Sequence, residues 1–205
     1  MRNDVRKYYA KWMAQRKPKW MGIEIKKYPS DMIAYQQIIY DLRPDILVEC
    51  GTSHGGSALY FANIFNIIGH GEVITIDNRK EPYLPRHKRI YYVEGSSVDS
   101  AVVEQVKVMV GDKSCMVSLD SSHEGEHVYK ELLIYHELVT PGQYMIVEDT
   151  NVHEIHPNFG EGPGEAVEKF LAGYGDHYEQ VAWKDEILLS CTDAWLLKKG
   201  TTRES

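Results

Sequence analysis

The sequence is poor in cysteine. Among 205 residues there are three, Cys50, Cys115 and Cys191, set far apart. That excludes a disulfide framework and fits a reducing cytoplasm, with Cys50 and Cys115 as buried thiols in apolar runs. Long hydrophobic stretches are also missing. None reaches the ~18 residues of a transmembrane helix, and the N-terminus lacks the apolar core of a secretion signal. Positive charge is in deficit: 23 Lys and Arg stand against 30 Asp and Glu, a net charge of −7. This disfavours a general nucleic-acid binder. Two phosphate-binding signatures are absent as well. The turn Gly51-Thr52-Ser53-His54-Gly55-Gly56 is not G-x-G-x-x-G, and no Gly-Lys-Ser/Thr follows it. No repeat and no linker composition divides the chain, whose length fits one domain with a sizeable core.

What is present is an alternation of strands and helices. Apolar residues make up 43%, an ordinary globular share. Val5, Tyr8, Tyr9, Trp12 and Met13 have helical spacing within a basic, aromatic N-terminus that Pro18 closes. Residues 1–29 read as a helical segment that packs on the domain, covers a substrate as a lid, or contacts a second copy of the chain. Ser30 or Asp31 is expected to cap a helix running to Leu42. Five strands are then expected, at 46–49, 72–77, 89–93, 114–120 and 143–149. Helices are expected between them over 56–68, 98–110 and 126–139. Such alternation implies βαβ units, a parallel sheet and helices on both faces, a Rossmann-like doubly wound α/β fold. A loop rich in His, Pro, Asn and Gly follows over 150–164, then a helix over 165–172. Extended segments at 178–183, 187–191 and 194–197 suggest one antiparallel strand at the sheet edge.

The polar residues collect at the carboxyl ends of the strands. The first strand ends in Glu49, the second in Asp77, the third in Gly95-Ser96-Ser97, the fourth in Asp120, the fifth in Glu148-Asp149. In an open parallel sheet these ends line one ligand crevice. The turn Gly51-Thr52-Ser53, leading to Ser57, brings backbone N–H groups and a helix N-terminus close to a ligand. Asp77 suits the diol of a ribose. Glu49 sits poorly beside a phosphate and well beside a cation. A nucleoside carrying a cationic group describes S-adenosylmethionine. Glu49 and the Gly51–Ser53 backbone would hold its methionine part, Ser96 and Ser97 would border its adenine, and Asp120 is a further cofactor contact. Asp120, Glu148 and Asp149 form a second set of hard oxygen donors suited to Mg2+. His123, three residues past Asp120, suits a general base for a hydroxyl held there. His153 and His156 on the following loop are alternative bases, and that loop is expected to shape the acceptor pocket.

A competing motif overlaps this site. His123-Glu124-Gly125-Glu126-His127 matches H-E-x-x-H, the signature of a zinc hydrolase. That chemistry needs both histidines on one helix, one turn apart. Here the motif starts just past a strand with Gly125 inside it. A nucleoside-binding module without catalysis is a further alternative.

Taken together, Glu49-Cys50-Gly51-Thr52-Ser53-His54-Gly55-Gly56-Ser57, Thr75-Ile76-Asp77, Gly95-Ser96-Ser97, Leu119-Asp120-Ser121-Ser122-His123 and Tyr144-Met145-Ile146-Val147-Glu148-Asp149-Thr150 resemble the cephalosporin hydroxylase family, which includes rhamnosyl and macrolide-sugar O-methyltransferases. The resemblance implies a class I methyltransferase domain over 30–205, with a mostly parallel seven-stranded sheet. It also implies S-adenosylmethionine and Mg2+ as cofactors and a small-molecule hydroxyl acceptor, a sugar or natural-product glycoside. Metal and base positions then fall on Asp120, His123, Glu148 and Asp149. A hydroxylase-like tailoring role is the alternative within the family, but no flavin, haem or two-His-one-carboxylate iron signature stands in the chain.

Overall fold

The structure, a computed structural model, describes residues 2–79, 81–156, 158–182 and 193–200. Helix α1 (Arg2–Arg16) is followed by a short antiparallel hairpin, β1 (Lys19–Trp20) and β2 (Ile23–Glu24), and by α2 (Pro29–Leu42). The alternating part runs β3 (Ile46–Cys50), α3 (Gly56–Ile68), β4 (Glu72–Asp77), β5 (Ile90–Glu94), α4 (Ser100–Val110), β6 (Cys115–Leu119), α5 (Gly125–Tyr135) and β7 (Tyr144–Val147). It continues through α6 (Val152–Ile155), α7 (Pro163–Tyr174), β8 (Tyr178–Gln180) and β9 (Trp195–Lys198). No helix among the described residues is long and apolar enough to cross a membrane.

The large sheet has seven strands in the order β5-β4-β3-β6-β7-β9-β8. Strands β5 to β7 are parallel, and β9 runs antiparallel to both neighbours. The doubly wound, mostly parallel architecture is the expected one. The antiparallel strand differs in place: β9 is inserted between β7 and β8 rather than lying at the edge. The extended segment expected over 187–191, with Cys191, lies outside the described residues.

Local chemistry explains most element ends. Helix α2 starts at Pro29, whose fixed φ suits a first helical turn and whose missing N–H costs nothing there. The expected side-chain cap is therefore not made: Tyr28 is the extended residue before the helix, and it caps nothing with its side chain. Asp31 is instead buried in the first turn, where the helix dipole favours an anion. Arg43 ends α2 in the left-handed region, and Pro44 follows. Asp99 caps α4 by accepting from the N–H groups of Ala101 and Val102. Helix α6, four residues inside the expected loop, is too short to carry a period.

Every residue of β3 and β6 is buried, which is why both read as near-continuous apolar runs. The chain winds outward from β3 to β5, then returns to β6 on the other side of β3. The crevice at this reversal opens above the carboxyl ends of β3 and β6. Gly51 makes the crevice possible. Its φ is +107°, and a Cβ there would lie 2.0 Å from the Asp120 carbonyl oxygen. The turns after the two central strands thus touch backbone to backbone, tied by the Asp120 N–H donating to the Cys50 carbonyl at 2.8 Å.

Candidate active site

The turn after β3 forms one wall of a cavity of about 490 Å3, lined by Gly51, Thr52, Ser53, Ser57, Asp77, Asp120, Ser121, His123 and Asp149. Ser53 and Gly55 both lie at positive φ, which turns the chain sharply into the N-terminus of α3. The Asp77 carboxylate is fixed by backbone donors on both oxygens. Ser53 N–H reaches Oδ2 at 2.8 Å and Arg79 N–H reaches Oδ1 at 3.0 Å. The second oxygen lone pairs remain for a ligand diol. A smaller cavity of about 100 Å3 adjoins it, lined by Asp77, Gly95, Ser96, Ser97, Ser121 and His127 among others.

Glu49 is placed differently from the expectation. It is fully buried beneath the turn and does not line the cavity. Its Oε2 accepts from Thr75 Oγ1 at 2.6 Å, and Thr75 Oγ1 lies 2.7 Å from Thr52 Oγ1. Burial pushes its carboxyl up, and the Lys27 charge holds it back. Glu49 supports the turn through Thr75 and Thr52, one layer behind the cavity wall.

Lys27 is the residue that the sequence reasoning missed. Its Nζ is buried 2.7 Å from Asp120 Oδ2 and 2.9 Å from Glu148 Oε1. Burial alone would lower its pKa, but the charges of Asp120, Glu148 and Glu49 raise it well above the usual lysine value. Nothing in its local sequence, two adjacent lysines before Tyr28-Pro29, distinguishes it from a surface lysine. Only the course of the chain across the strand ends does.

Three ligand-type side chains meet above this pair. Donor atoms of Asp120, His123 and Asp149 lie within 4.8 Å of one another. Asp149 sits in the left-handed region, φ 54°, which costs about 1–3 kcal/mol for a non-glycine residue and points to a functional constraint. His123 Nε2 is 3.0 Å from Asp149 Oδ2, and this hydrogen bond raises the imidazole pKa. The Asp120 carboxyl is pushed up to about 7 by burial, with Lys27 opposing. Glu148 does not join this cluster. Its Oε1 takes Lys27 and, at 2.5 Å, the Tyr35 hydroxyl. Glu148 continues the β7 ladder, its N–H donating to Leu119 O at 2.9 Å, and successive strand residues face opposite sides. The expected trio of carboxylates is thus two at the surface of the crevice and one behind them.

The remaining candidates separate clearly. His127 turns to Glu131 at 3.5 Å and Ser97 at 3.2 Å, away from His123. Helix α5 begins at Gly125, after His123, so the two histidines of H-E-x-x-H do not share a helical face. The zinc arrangement is not formed. His153 pairs with Glu165 at 3.1 Å. His156 lines a third cavity of about 590 Å3, together with Met13 and Lys17, Ile25 and Tyr28, Val152, and again His123 and Asp149. Asn151 borders the same cavity, is buried, and neither of its amide atoms has a hydrogen-bond partner among the described residues.

The sequence model of the family described as rhamnosyl O-methyltransferase/CmcI matches residues 12–199. The chain belongs to this family. A rhamnosyl O-methyltransferase of Mycobacterium bovis is 37% identical over 193 residues, 88% of this chain and 79% of the relative. One of Mycobacterium leprae is 34% identical over 189 residues, 88% of this chain and 82% of the relative. Among solved structures, apo CmcI-N160 superposes with a TM-score of 0.69 at 20% identity, covering 89% of this chain and 76% of that one. The MycE methyltransferase of mycinamycin biosynthesis, in complex with Mg, SAH and mycinamycin VI, gives 0.64 at 20% identity over 84% of this chain and 50% of that one. At these identities the structures support the fold, and the mycobacterial relatives carry the family.

Proposed function

We propose that the chain is an S-adenosylmethionine-dependent O-methyltransferase that uses a divalent cation, Mg2+ in first place, to methylate a hydroxyl of a sugar-bearing small molecule. The observation that carries this reading is the junction of two cavities. The one beside Asp77 and the one beneath α1 share His123 and Asp149. A cofactor in the first and an acceptor in the second would meet at these residues. The family's rhamnosyl O-methyltransferases supply the acceptor class. Asn151, with two unpaired N–H donors and two unpaired acceptor sites, suits the hydroxyls of such a sugar.

The residues fit the metal. Asp120 and Asp149 offer hard carboxylate oxygens beside an open cavity, and Glu148 holds a third carboxylate directly behind. A divalent cation there supplies positive charge that lowers the pKa of a neighbouring hydroxyl. The chain does the rest. Asp77, its lone pairs directed by Ser53 and Arg79, holds the ribose. The Gly51–Ser53 turn and Ser57 form the cavity wall on which the amino-acid end would lie. Ser96 and Ser97 border the base. His123 keeps its Nε2 proton and donates it as a hydrogen bond to Asp149, which leaves Nδ1 of the neutral ring to take the acceptor proton. The deprotonated oxygen attacks the methyl carbon, and the sulfonium becomes a neutral thioether. Much of the rate gain comes from holding two reactants in line. Residues 1–29 act as the cover of the acceptor side, since Met13 and Lys17 of that segment line the third cavity.

The test is methyl transfer from radiolabelled S-adenosylmethionine to methyl α-L-rhamnoside, with binding of S-adenosylhomocysteine followed by calorimetry. Transfer is expected to vanish in EDTA and return with Mg2+. A protein that purifies with stoichiometric zinc and binds no S-adenosylhomocysteine overturns the reading.

A further inference from the structure

Charge is spread unevenly along the chain. Residues 1–29 carry nine Lys and Arg against two Asp and Glu, a net charge of +7. Residues 30–205 carry 14 against 28, a net charge of −14. Methyl transfer gives most of the N-terminal cations no task.

Five of them stand in water. Lys7 and Lys11, one turn apart on α1, are exposed, and so are Arg16, Lys17 and Lys19 where α1 passes into the hairpin. None of these five is in an ion pair among the described residues. The cavity side of α1 is different in kind: Ala10 and Met13 line the space of about 590 Å3 beneath it.

The hairpin adds an apolar point. Trp20 turns inward, its Nε1 donating to Asn63 at 3.0 Å and its ring set edge-on to Tyr60. Strand side chains alternate, so Lys19 faces out. Met21 follows at the turn, 74% exposed and at φ 46°. A methionine in the left-handed region is uncommon, and Gly or Asn would make the turn without holding an apolar side chain in water.

A basic face with an apolar tip fits an anionic lipid surface. Headgroups meet the cations, and the acyl boundary takes the apolar side chain. A nucleic acid offers phosphates but no apolar layer for Met21. The negative remainder of the chain is repelled by the same surface, which turns the N-terminal segment toward it.

We propose that Lys7, Lys11, Arg16, Lys17 and Lys19, with Met21 as the inserting residue, form a face that docks the chain peripherally on an anionic lipid surface. The face belongs to the segment that covers the cavity beneath α1, so docking sets that cover against lipid. Docking does not depend on the methyl-transfer reading.

Co-sedimentation of the full chain with large unilamellar vesicles tests this. In low salt, vesicles of equimolar phosphatidylcholine and phosphatidylglycerol should take up the chain at least about a hundredfold better than phosphatidylcholine alone, at about fivefold per Lys or Arg. In about 1 M salt, where the Debye length is about 3 Å, the preference should disappear. Lys7→Gln, Lys11→Gln and Lys19→Gln combined should lower uptake about a hundredfold, with the melting curve showing a folded chain. Met21→Asn, a residue that the left-handed turn accepts, should lower it about tenfold. Lys113→Gln, just before β6 and so at the end of the sheet away from the crevice, should leave uptake unchanged. Equal uptake by both kinds of vesicle, uptake by neither, or unchanged uptake of the folded triple variant or of Met21→Asn overturns the proposal. Retention on immobilised RNA without vesicle uptake overturns it as well and assigns the basic face to a nucleic acid.

Discussion

The two halves of the crevice are built in different ways. The half at β3, β4 and β5 uses regular strand–turn–helix units. Its cavity wall is the turn after β3, Asp77 with both oxygens fixed by backbone N–H donors, and serines at strand ends. The half at β6 and β7 uses side chains brought from distant places. Lys27 comes from before α2, Tyr35 from α2, His156 from beyond α6, and Met13 from α1. It also holds Asp149 at positive φ and three acidic groups, Asp120, Glu148 and Glu49, around Lys27. The first half is suited to a cofactor that is always the same. The second concentrates charge where the two larger cavities meet at His123 and Asp149. The difference suggests variants that strike one half and spare the other.

The largest separation should come from His123→Ala. Loss of a general base lowers kcat by about 10^2–10^4-fold. On the proposed mechanism, binding of S-adenosylhomocysteine should be unchanged, because the ribose is assigned to Asp77 and His123 stands at the junction of the cavities. Turnover that persists at the original rate moves the base to another residue, with His156 next in line on the same cavity wall. The rate profile carries the same signature. Hydrogen bonding to Asp149 raises the His123 pKa, and the neutral ring is the base. Activity should therefore climb with pH through a midpoint above the ordinary histidine value of about 6.5. A midpoint below that value contradicts the His123–Asp149 pair as the acting base.

Lys27→Met is expected to act on stability. It leaves Asp120 and Glu148 buried without their cation, a loss of about 3–5 kcal/mol for breaking a buried pair by one partner. Urea denaturation measures it. Adding Glu148→Gln to the variant should recover part of the loss, since one of the stranded charges is then gone. A Lys27→Met chain as stable as the parent would mean that the lysine holds nothing, and that the second half of the crevice is organised by other contacts.

The same contrast explains what could be read in the sequence. The doubly wound sheet was legible because β3, β4, β6 and β7 are short apolar runs bounded by glycines and acidic ends. The cavity wall at β3, β4 and β5 was legible because it consists of a contiguous turn and of the residues that close the strands. Glu49 was legible as important and misjudged in place: its position at the end of β3 says nothing about which layer it faces. Glu148 and Asp149 were inseparable in sequence, yet the strand pleat sends one to Lys27 and Tyr35 and leaves the other at His123. Lys27 and Asn151 were invisible because their meaning comes only from contacts across the fold. The H-E-x-x-H pattern misleads in sequence, since its second histidine faces Ser97 and Glu131.

A smaller effect sharpens the comparison through pH. Burial pushes the Asp120 carboxyl up to about 7, with Lys27 opposing. An unfolded Asp releases its proton near 3.9, roughly. Between these values the folded chain holds more protons than the unfolded one, so stability falls as pH rises. The stabilisation is complete below the unfolded value and is lost as pH passes through about 7. His123 adds in the same direction at higher pH, because its pKa is also raised on folding. The melting temperature should therefore drop between about pH 5 and pH 8, by several degrees, at roughly 2–4 °C per kcal/mol for a chain of this size. Mg2+ should oppose the drop and raise the melting temperature more at the upper pH, since the cation competes with the proton for Asp120. A melting temperature that is flat across this range, with no extra Mg2+ effect at high pH, would show that Lys27 already neutralises Asp120 in full. The charge in the second half would then be held by the protein's own lysine rather than left open for a cation.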